Sequence, residues 1–351
     1  MIRKDICEKI LVIGIDYRVV RGGVAAVENV YSTFYKPFNF VRTVVDGNKV
    51  VKLLVFIEAL FHFLYYMLFS KIEIIHIHGA SYASFWRKRI FIYTAKFFGK
   101  KIVYHIHGGG FGNFADKKDV VYKTLLKCDR IVVLSEYWKE YFMNNFGLHN
   151  VIIIKNVIAQ PAIAKVEHEE FTLLFLGLLV KEKGIYDLIE LLSEYKEKYE
   201  RRVRLIVGGN GDVKSFQNKI QEYGLENIIS FEGWVSGEKK SRLFNSSDVY
   251  VLPSYTEGLP ISILEAMSYK LPIISTNVGG IPEIVFNNVN GFLITPGDKE
   301  AIVKSIDALL GDMDKCKEMG EQSELLVKEH LPAFVEKQLE TLYKSMLNLP
   351  C

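Results

Sequence analysis

Cysteine is scarce in this sequence. There are four in 351 residues, at Cys7, Cys128, Cys316 and Cys351, and none has CxxC spacing. They supply neither a zinc site nor a disulfide framework, and their use fits a reducing compartment. Net charge is nearly absent too: 44 Lys and Arg stand against 41 Asp and Glu. Nothing therefore demands a nucleic-acid partner. A composition 49% apolar and 24% charged excludes disordered and collagenous classes. The opening MIRKDICEKILVIGID lacks the long apolar stretch and small-residue cleavage site of a secretory signal, so the expected location is the cytoplasm. Leu53 to Phe69 is mostly apolar, but it carries Glu58 and His62 and is short for a bilayer span of about 20 residues. It is expected to form a buried or membrane-touching helix. No GxGxxG follows the first strand-like run, which argues against a dinucleotide-dependent dehydrogenase.

What is present is an alternation of Ile/Val-rich runs with helical patterns. In the first half the strand-like runs are Ile10 to Ile15, Ile72 to His78, Ile102 to His107, Arg130 to Leu134 and Val151 to Ile154. Near-continuous apolar runs between helices are what parallel strands covered on both faces require. The rhythm pauses at Asn156 to Glu170, which contains Pro161 and ends in charges, and restarts at Thr172. The expected fold class is α/β, with two facing doubly wound Rossmann-like domains. The expected domains are 1–160, joined by a C-terminal helix over 332–351, and 161–331. The amphipathic segment Pro332 to Leu347 is expected to pack back across them, with Phe334, Leu339, Leu342, Tyr343 and Met346 toward one side.

In such sheets ligands bind beyond the carboxyl ends of the strands. Gly22 and Gly23 open a helix after the first strand; they make either a tight turn or a backbone cradle for an anion. His76-Ile77-His78-Gly79 and His105-Ile106-His107-Gly108 end two further strands. Residues two apart share a face, so each pair presents two imidazoles together, as a metal site would need. With no thiolate joining them by spacing, metal is set aside, and His107, nearest its loop, is the better ligand contact. In the second half, glycines again stand at strand ends: Gly177 before Lys181 and Lys183, Gly208 and Gly209, then Gly233 before Val235. A lysine in such a loop is either a phosphate partner or part of a solvated turn. The densest signal is the run from Pro253 to Met267. There Glu257, Gly258 and Leu259 precede a helix that Pro260 is suited to start, and Glu265 lies within it. The helix amides suit an anion and the carboxylates suit hydroxyls, as a sugar diphosphate requires.

These residues together resemble the family 4 glycosyltransferases, retaining nucleotide-sugar enzymes of the GT-B fold. The resemblance covers nearly the whole chain: Gly22-Gly23, His107-Gly108, Ser135, Asn156, Lys183-Gly184, Glu257 to Glu265 and Gly279-Gly280. Its most specific part is PSYTEGLPISILEAMSYKLPIISTNVGGIPEIV, similar to the family's donor-site signature. The resemblance implies a metal-independent hexosyltransferase without a cofactor, taking a UDP- or GDP-sugar. His107 and Glu257 would face the transferred sugar, Lys183 and backbone at Gly23 would meet the diphosphate, and Glu265 would hold the ribose. Backbone at Gly233 to Val235 would meet the nucleobase, and Gly258, Leu259 and Pro260 the sugar and phosphate. One position departs: the family usually carries arginine after the glycine that is Gly177, and Leu178 stands here. Lys181 or Arg21 would have to supply the charge. The departure keeps open a catalytically weak sugar-nucleotide-binding partner, and a sugar-nucleotide epimerase of the same fold is the other alternative.

The near-zero net charge conceals an asymmetry. Residues 1–167 hold 24 Lys or Arg against 13 acids, and residues 168–351 hold 20 against 28. The basic half includes Trp86-Arg87-Lys88-Arg89, Phe91, Tyr93, Lys96, Phe97, Phe98, Lys100 and Lys101. Basic groups interleaved with aromatics over 85–101 suit an anionic membrane surface, or equally a buried helix with a solvated basic face. In the family this half receives the acceptor, so a glycan or polyprenyl-linked glycan is the expected partner. No nucleic-acid motif accompanies the basic segment. The protein is expected in the cytoplasm, peripheral on the inner membrane face.

Overall fold

The computed structural model describes residues 1–19, 22–108, 110–115 and 119–350. The chain divides into two compact units, one of Met1–Ile158 with Glu329–Cys351 and one of Ala159–Lys328. The divisions therefore fall at 158/159 and 328/329, against the 160/161 and 331/332 of the sequence reading.

The first unit winds six parallel strands: β1 (Ile10–Gly14), β2 (Phe40–Arg42), β3 (Ile74–Gly79), β4 (Lys101–Ile106), β5 (Arg130–Val133) and β6 (Val151–Ile153). Their order is β2-β1-β3-β4-β5-β6. Every residue of β1 and β3 is buried; β1 is apolar throughout, as a strand covered on both faces requires, whereas β3 alternates isoleucine with His76 and His78. Only β2 lacks a sequence signature, being three residues among aromatics. Helices are closed by local chemistry. The Ser135 side chain accepts from the Trp138 amide at the start of Glu136–Phe146, and Gly147 ends that helix in the left-handed region. Asn48 accepts from the Val51 amide at the start of Lys49–Phe69.

Two expectations narrow here. Lys49–Phe69 is a helix, and because only Ala59, Phe63 and Met67 are buried, the buried alternative given for it is excluded. In the 85–101 segment, much of the basic charge is committed inward. Lys88 is buried, Lys96 pairs with Asp129 at 2.7 Å, and Lys100 and Lys101 donate to the carbonyls of Ile72 and Met346. Trp86, Ile90, Tyr93 and Phe97 remain exposed on this Ala83–Phe97 helix.

The Pro332–Leu347 helix packs on this first unit through Val335, Leu339, Leu342, Tyr343 and Met346. Phe334 is exposed, because the i, i+4 stripe starts one residue later, at Val335. Gln338 accepts from the Lys155 amide at 3.1 Å and fastens the helix to the end of the sheet.

The second unit holds β7 (Phe171–Leu176), β8 (Val203–Gly208), β9 (Ile229–Phe231), β10 (Val249–Leu252), β11 (Ile273–Thr276) and β12 (Gly291–Ile294). All are parallel, in the order β12-β11-β10-β7-β8-β9. This is the doubly wound order in which the first and fourth strands lie side by side and the winding direction reverses. At such a reversal the connections from β7 and β10 run to opposite faces of the sheet, which is where ligands bind in open α/β sheets. Strand β12 and the helices Lys299–Leu310 and Met313–Leu326 complete the unit beyond the elements expected from sequence.

Candidate active site

The β7 and β10 loops carry the largest share of the residues singled out above. After β7, Gly177 and Leu178 lead to a helical turn over Lys181–Lys183, and Gly184, at φ 70°, starts the helix Ile185–Glu194. A Cβ at Gly184 would collide with the Pro253 carbonyl, so this loop lies directly on the one after β10. The Tyr255 amide donates to the Glu182 carbonyl at 2.8 Å and joins them again.

This contact brings Lys183 to Glu257. The ammonium lies 2.5 Å from Glu257 Oε1, and the Ser254 hydroxyl donates to the same oxygen at 2.8 Å. Glu257 is buried, whereas Lys183 keeps a quarter of its side chain in solvent. A charged lysine thus sits at the rim with its counter-ion beneath it. Gly258 is held by the Gly280 amide, which donates to its carbonyl at 2.7 Å. A Cβ at Gly279 would collide with the Glu257 carbonyl, so that glycine permits the close approach.

Pro260 precedes the helix Ile261–Ser268, one residue outside the expected start, and no side chain caps it. Its first amides can therefore meet an anion. Glu265, on the same helix, pairs with Lys240 at 2.5 Å. Leu259 is buried. Around the rest of the rim, a Cβ at Gly209 would collide with the Gly177 carbonyl, which locks the ends of β7 and β8 together. Gly233, at φ 66°, borders open space, beside exposed Trp234 and buried Val235. Lys181 and Leu178 are exposed.

In the first unit, Gly22 adopts φ 96° and leads into the helix Gly23–Tyr31, whose start again has no side-chain cap. Arg21 and Gly109 lie outside the described residues. The HxH pairs behave as the period-2 pattern predicts, and the pairing of β3 with β4 merges them. His78 aligns with His105 in the register, and neighbouring imidazoles stack at centroid distances from 4.1 to 5.4 Å. His78 Nδ1 lies 2.8 Å from His107 Nε2, and His76 Nε2 lies 3.3 Å from His105 Nδ1. His76 Nδ1 meets the Tyr343 hydroxyl, itself 2.7 Å from that of Tyr35.

All four rings are buried. Burial, with the neighbouring rings adding to it at His107, pushes His76 and His107 down to about 3, and His78 and His105 also fall well below the usual range. These imidazoles are neutral at physiological pH. Nitrogens of His76, His78 and His105 approach within 4.8 Å of one another, close enough for one ion. His107 and Tyr343 each pair with one ring nitrogen of His78 and His76, while His78 Nε2 and His105 Nε2 are buried without a hydrogen-bond partner among the described residues.

Neither His107 nor Gly23 shares a unit with Lys183, Glu257 and Glu265. Several polar residues escaped the sequence reading. Lys240 is one, since nothing local links it to an acid 25 positions on. Glu28 is another, a buried carboxylate that accepts from the Ile15 amide at 2.9 Å and fixes the loop after β1. Burial raises its pKa, and buried Lys88 opposes that rise. A lone acid in the apolar helix GVAAVENVY was the available signal.

Residues 158–325 match the protein family described as Glycosyl transferases group 1, and residues 28–159 match Glycosyltransferase Family 4. An uncharacterized glycosyltransferase of Haemophilus influenzae is 30% identical over 213 residues, 60% of this chain and 59% of that protein. The capsular polysaccharide biosynthesis glycosyltransferase CapM of Staphylococcus aureus is 27% identical over 187 residues, 52% of this chain and 48% of CapM. The matched stretch thus spans about half the length of these curated relatives. Among solved structures, Anabaena HepE in complex with UDP-glucose superposes with a TM-score of 0.75 at 17% identity, covering 95% of this chain and 99% of that one. That likeness is one of fold. With two family matches that meet at the boundary between the units, and with the glycine loops and acid pair in place, the chain belongs to glycosyltransferase family 4 and has the GT-B fold.

Proposed function

We propose that the protein is a retaining, metal-independent hexosyltransferase. It would move a sugar from a UDP- or GDP-sugar to a glycan or polyprenyl-linked glycan in surface polysaccharide synthesis, working at the cytoplasmic face of a membrane. The observation that carries this reading is the junction of the β7 and β10 loops. There Lys183, Glu257, an uncapped helix start and Glu265 surround the point where the sheet's winding reverses. CapM supports the polysaccharide context by its name, and HepE supports a uridine nucleotide by its bound ligand.

In this reading Lys183 shifts part of its contact from Glu257 to the donor diphosphate, and the free amides ahead of Ile263 share the remaining charge. Glu265 accepts from the ribose hydroxyls. The acceptor oxygen forms its bond to the anomeric carbon on the face from which the diphosphate departs, and a donor phosphate oxygen takes the acceptor's proton. His107 offers a neutral imidazole as a hydrogen-bonding partner rather than a charged acid, because burial holds its pKa at about 3. Exposed Lys181 takes the place of the cation that Leu178 does not provide.

Incubation with radiolabelled UDP- and GDP-hexoses tests this. Transfer, or slow hydrolysis with retained configuration, is the expected result. Isomerised donor would make the protein an epimerase, and saturable binding without turnover would make it a sugar-nucleotide-binding partner.

A further inference from the structure

The Lys49–Phe69 helix is apolar around almost its whole circumference, a composition proper to a core helix, yet it lies at the surface of the first unit. Ten of its large apolar or aromatic side chains are exposed, among them Leu54, Ile57, Phe61, Leu64 and Leu68. At 100° per residue these ten cover an arc of about 160°. The buried residues Ala59, Phe63 and Met67 occupy the opposite side, where Phe63 meets Phe91 at a centroid distance of 5.1 Å within the hydrophobic core.

Charge is confined to the ends and one neutralised position. Exposed Lys49 and Lys52 stand at the start, exposed Lys71 lies just past the end, and Glu58 is paired with Arg42 at 3.2 Å. A coiled-coil partner would need only a narrow seam, well under this arc. A wide apolar face, broken only by the paired Glu58, on a helix with lysines at both ends suits acyl chains beneath anionic headgroups. The helix has the 21 residues of a bilayer span. Crossing the bilayer, however, would tear Ala59, Phe63 and Met67 out of the core.

We propose that Lys49–Phe69 is an in-plane membrane anchor that seats the first unit on an anionic bilayer surface. It rests on the transferase reading for its purpose, access to a lipid-linked acceptor, and on its own geometry for its existence. The neighbouring 85–101 segment, with its basic groups largely spent, is an accessory to it.

Co-sedimentation of the full chain with vesicles of phosphatidylglycerol and phosphatidylethanolamine, compared with pure phosphatidylcholine, is the test. The wild type should bind the anionic vesicles, more weakly at high salt. Phe61→Glu with Leu68→Glu should lower the bound fraction by about tenfold or more, as expected for withdrawing two large side chains from hydrocarbon. Its thermal melt should hold, because neither residue touches the core, and Phe97→Ser on the adjacent helix should bind nearly as wild type. Should the double variant misfold, Leu64→Trp gives a second readout, a blue-shifted indole emission on adding anionic vesicles. Three results would overturn the anchor: a wild type left in the supernatant with both vesicles, a double variant that binds like wild type, or an emission from the Leu64→Trp variant that does not shift. So would self-association abolished by the same double change without vesicle binding. UDP-glucose turnover in vesicle-free solution should not respond to the double variant. Failure of the wild type to turn over any UDP- or GDP-hexose, with vesicle binding intact, would remove the transferase reading and leave the anchor standing.

Discussion

The two units wind the same kind of six-stranded parallel sheet and treat the polar groups near their strand ends in opposite ways. The first unit holds seven of the eight histidines and packs four of them into a buried, neutral stack beside Tyr31, Tyr35 and Tyr343. It also buries Glu28 and Lys88. The second unit keeps its polar groups charged and paired, Lys183 with Glu257 and Lys240 with Glu265, with the lysines partly in solvent. Desolvation governs the first arrangement and ion pairing the second. A neutral stack has no charge to offer a phosphate. An ion pair at a rim can exchange its carboxylate for a phosphate, which is why the donor-binding chemistry is assigned to the second unit.

Acid should separate the two units most strongly. The stacked histidines titrate lower in the folded than in the unfolded chain, so the unfolded chain binds more protons below about 6.5, and stability is lost as pH falls. Each contributes up to about 1.4 kcal/mol per pH unit. Glu28, with its pKa raised, works the other way and cancels one histidine, while Lys88 stays protonated throughout this window. His330, buried in the same unit and lowered to about 4, adds to the four, so the net loss is on the order of 5 kcal/mol per pH unit between about 4.5 and 6. Hydrogen exchange at pH 7 and 5.5 should show the first unit opening while the second, with only His168, stays protected. Simultaneous loss would break the contrast.

Next in size, Lys183→Ala should cut donor turnover by about 10²-fold or more through lost stabilisation of the departing diphosphate. It should also weaken the second unit by stranding the Glu257 carboxylate on Ser254 alone. Steady-state kinetics with a labelled donor decides this, and unchanged kcat/KM would remove Lys183 from the site. Gly209→Ala drives a methyl into the Gly177 carbonyl. It should cost about 1–3 kcal/mol in urea unfolding and weaken nucleotide binding, with the first unit's exchange protection intact. Tyr343→Phe should have the smallest effect. Losing the hydroxyl shared by His76 and Tyr35 costs the first unit about 1 kcal/mol by denaturant titration and leaves donor hydrolysis unchanged.

What could be read from sequence followed the range of the physics. Strand runs, the helix starts at Ile185 and Ile261 and the glycines of the strand-end loops are local signals, and the donor signature is contiguous. The HxH spacing placed two rings on one face. Their merger into a stack of four needed the β3–β4 register, which no spacing contains. Lys183 and Glu257 were each visible, whereas their contact spans 74 positions and depends on Gly184 packing against Pro253. The Lys49–Phe69 helix was left open between burial and a membrane surface, because apolar composition does not say which apolar medium covers it.

The return of Pro332–Leu347 to the first unit also sets an order of biogenesis. Every residue of the second unit is made before Glu329, so that unit can close without waiting for the C-terminal helix. The sheet carrying the histidines must wait for Tyr343 and for the backbone carbonyl of Met346 to cover it. At about 5–20 residues per second, making the intervening chain takes roughly ten to forty seconds. Through that interval the first-made half of the polypeptide is the last to be finished. Its uncovered imidazoles and apolar strands make it the half with most need of a chaperone.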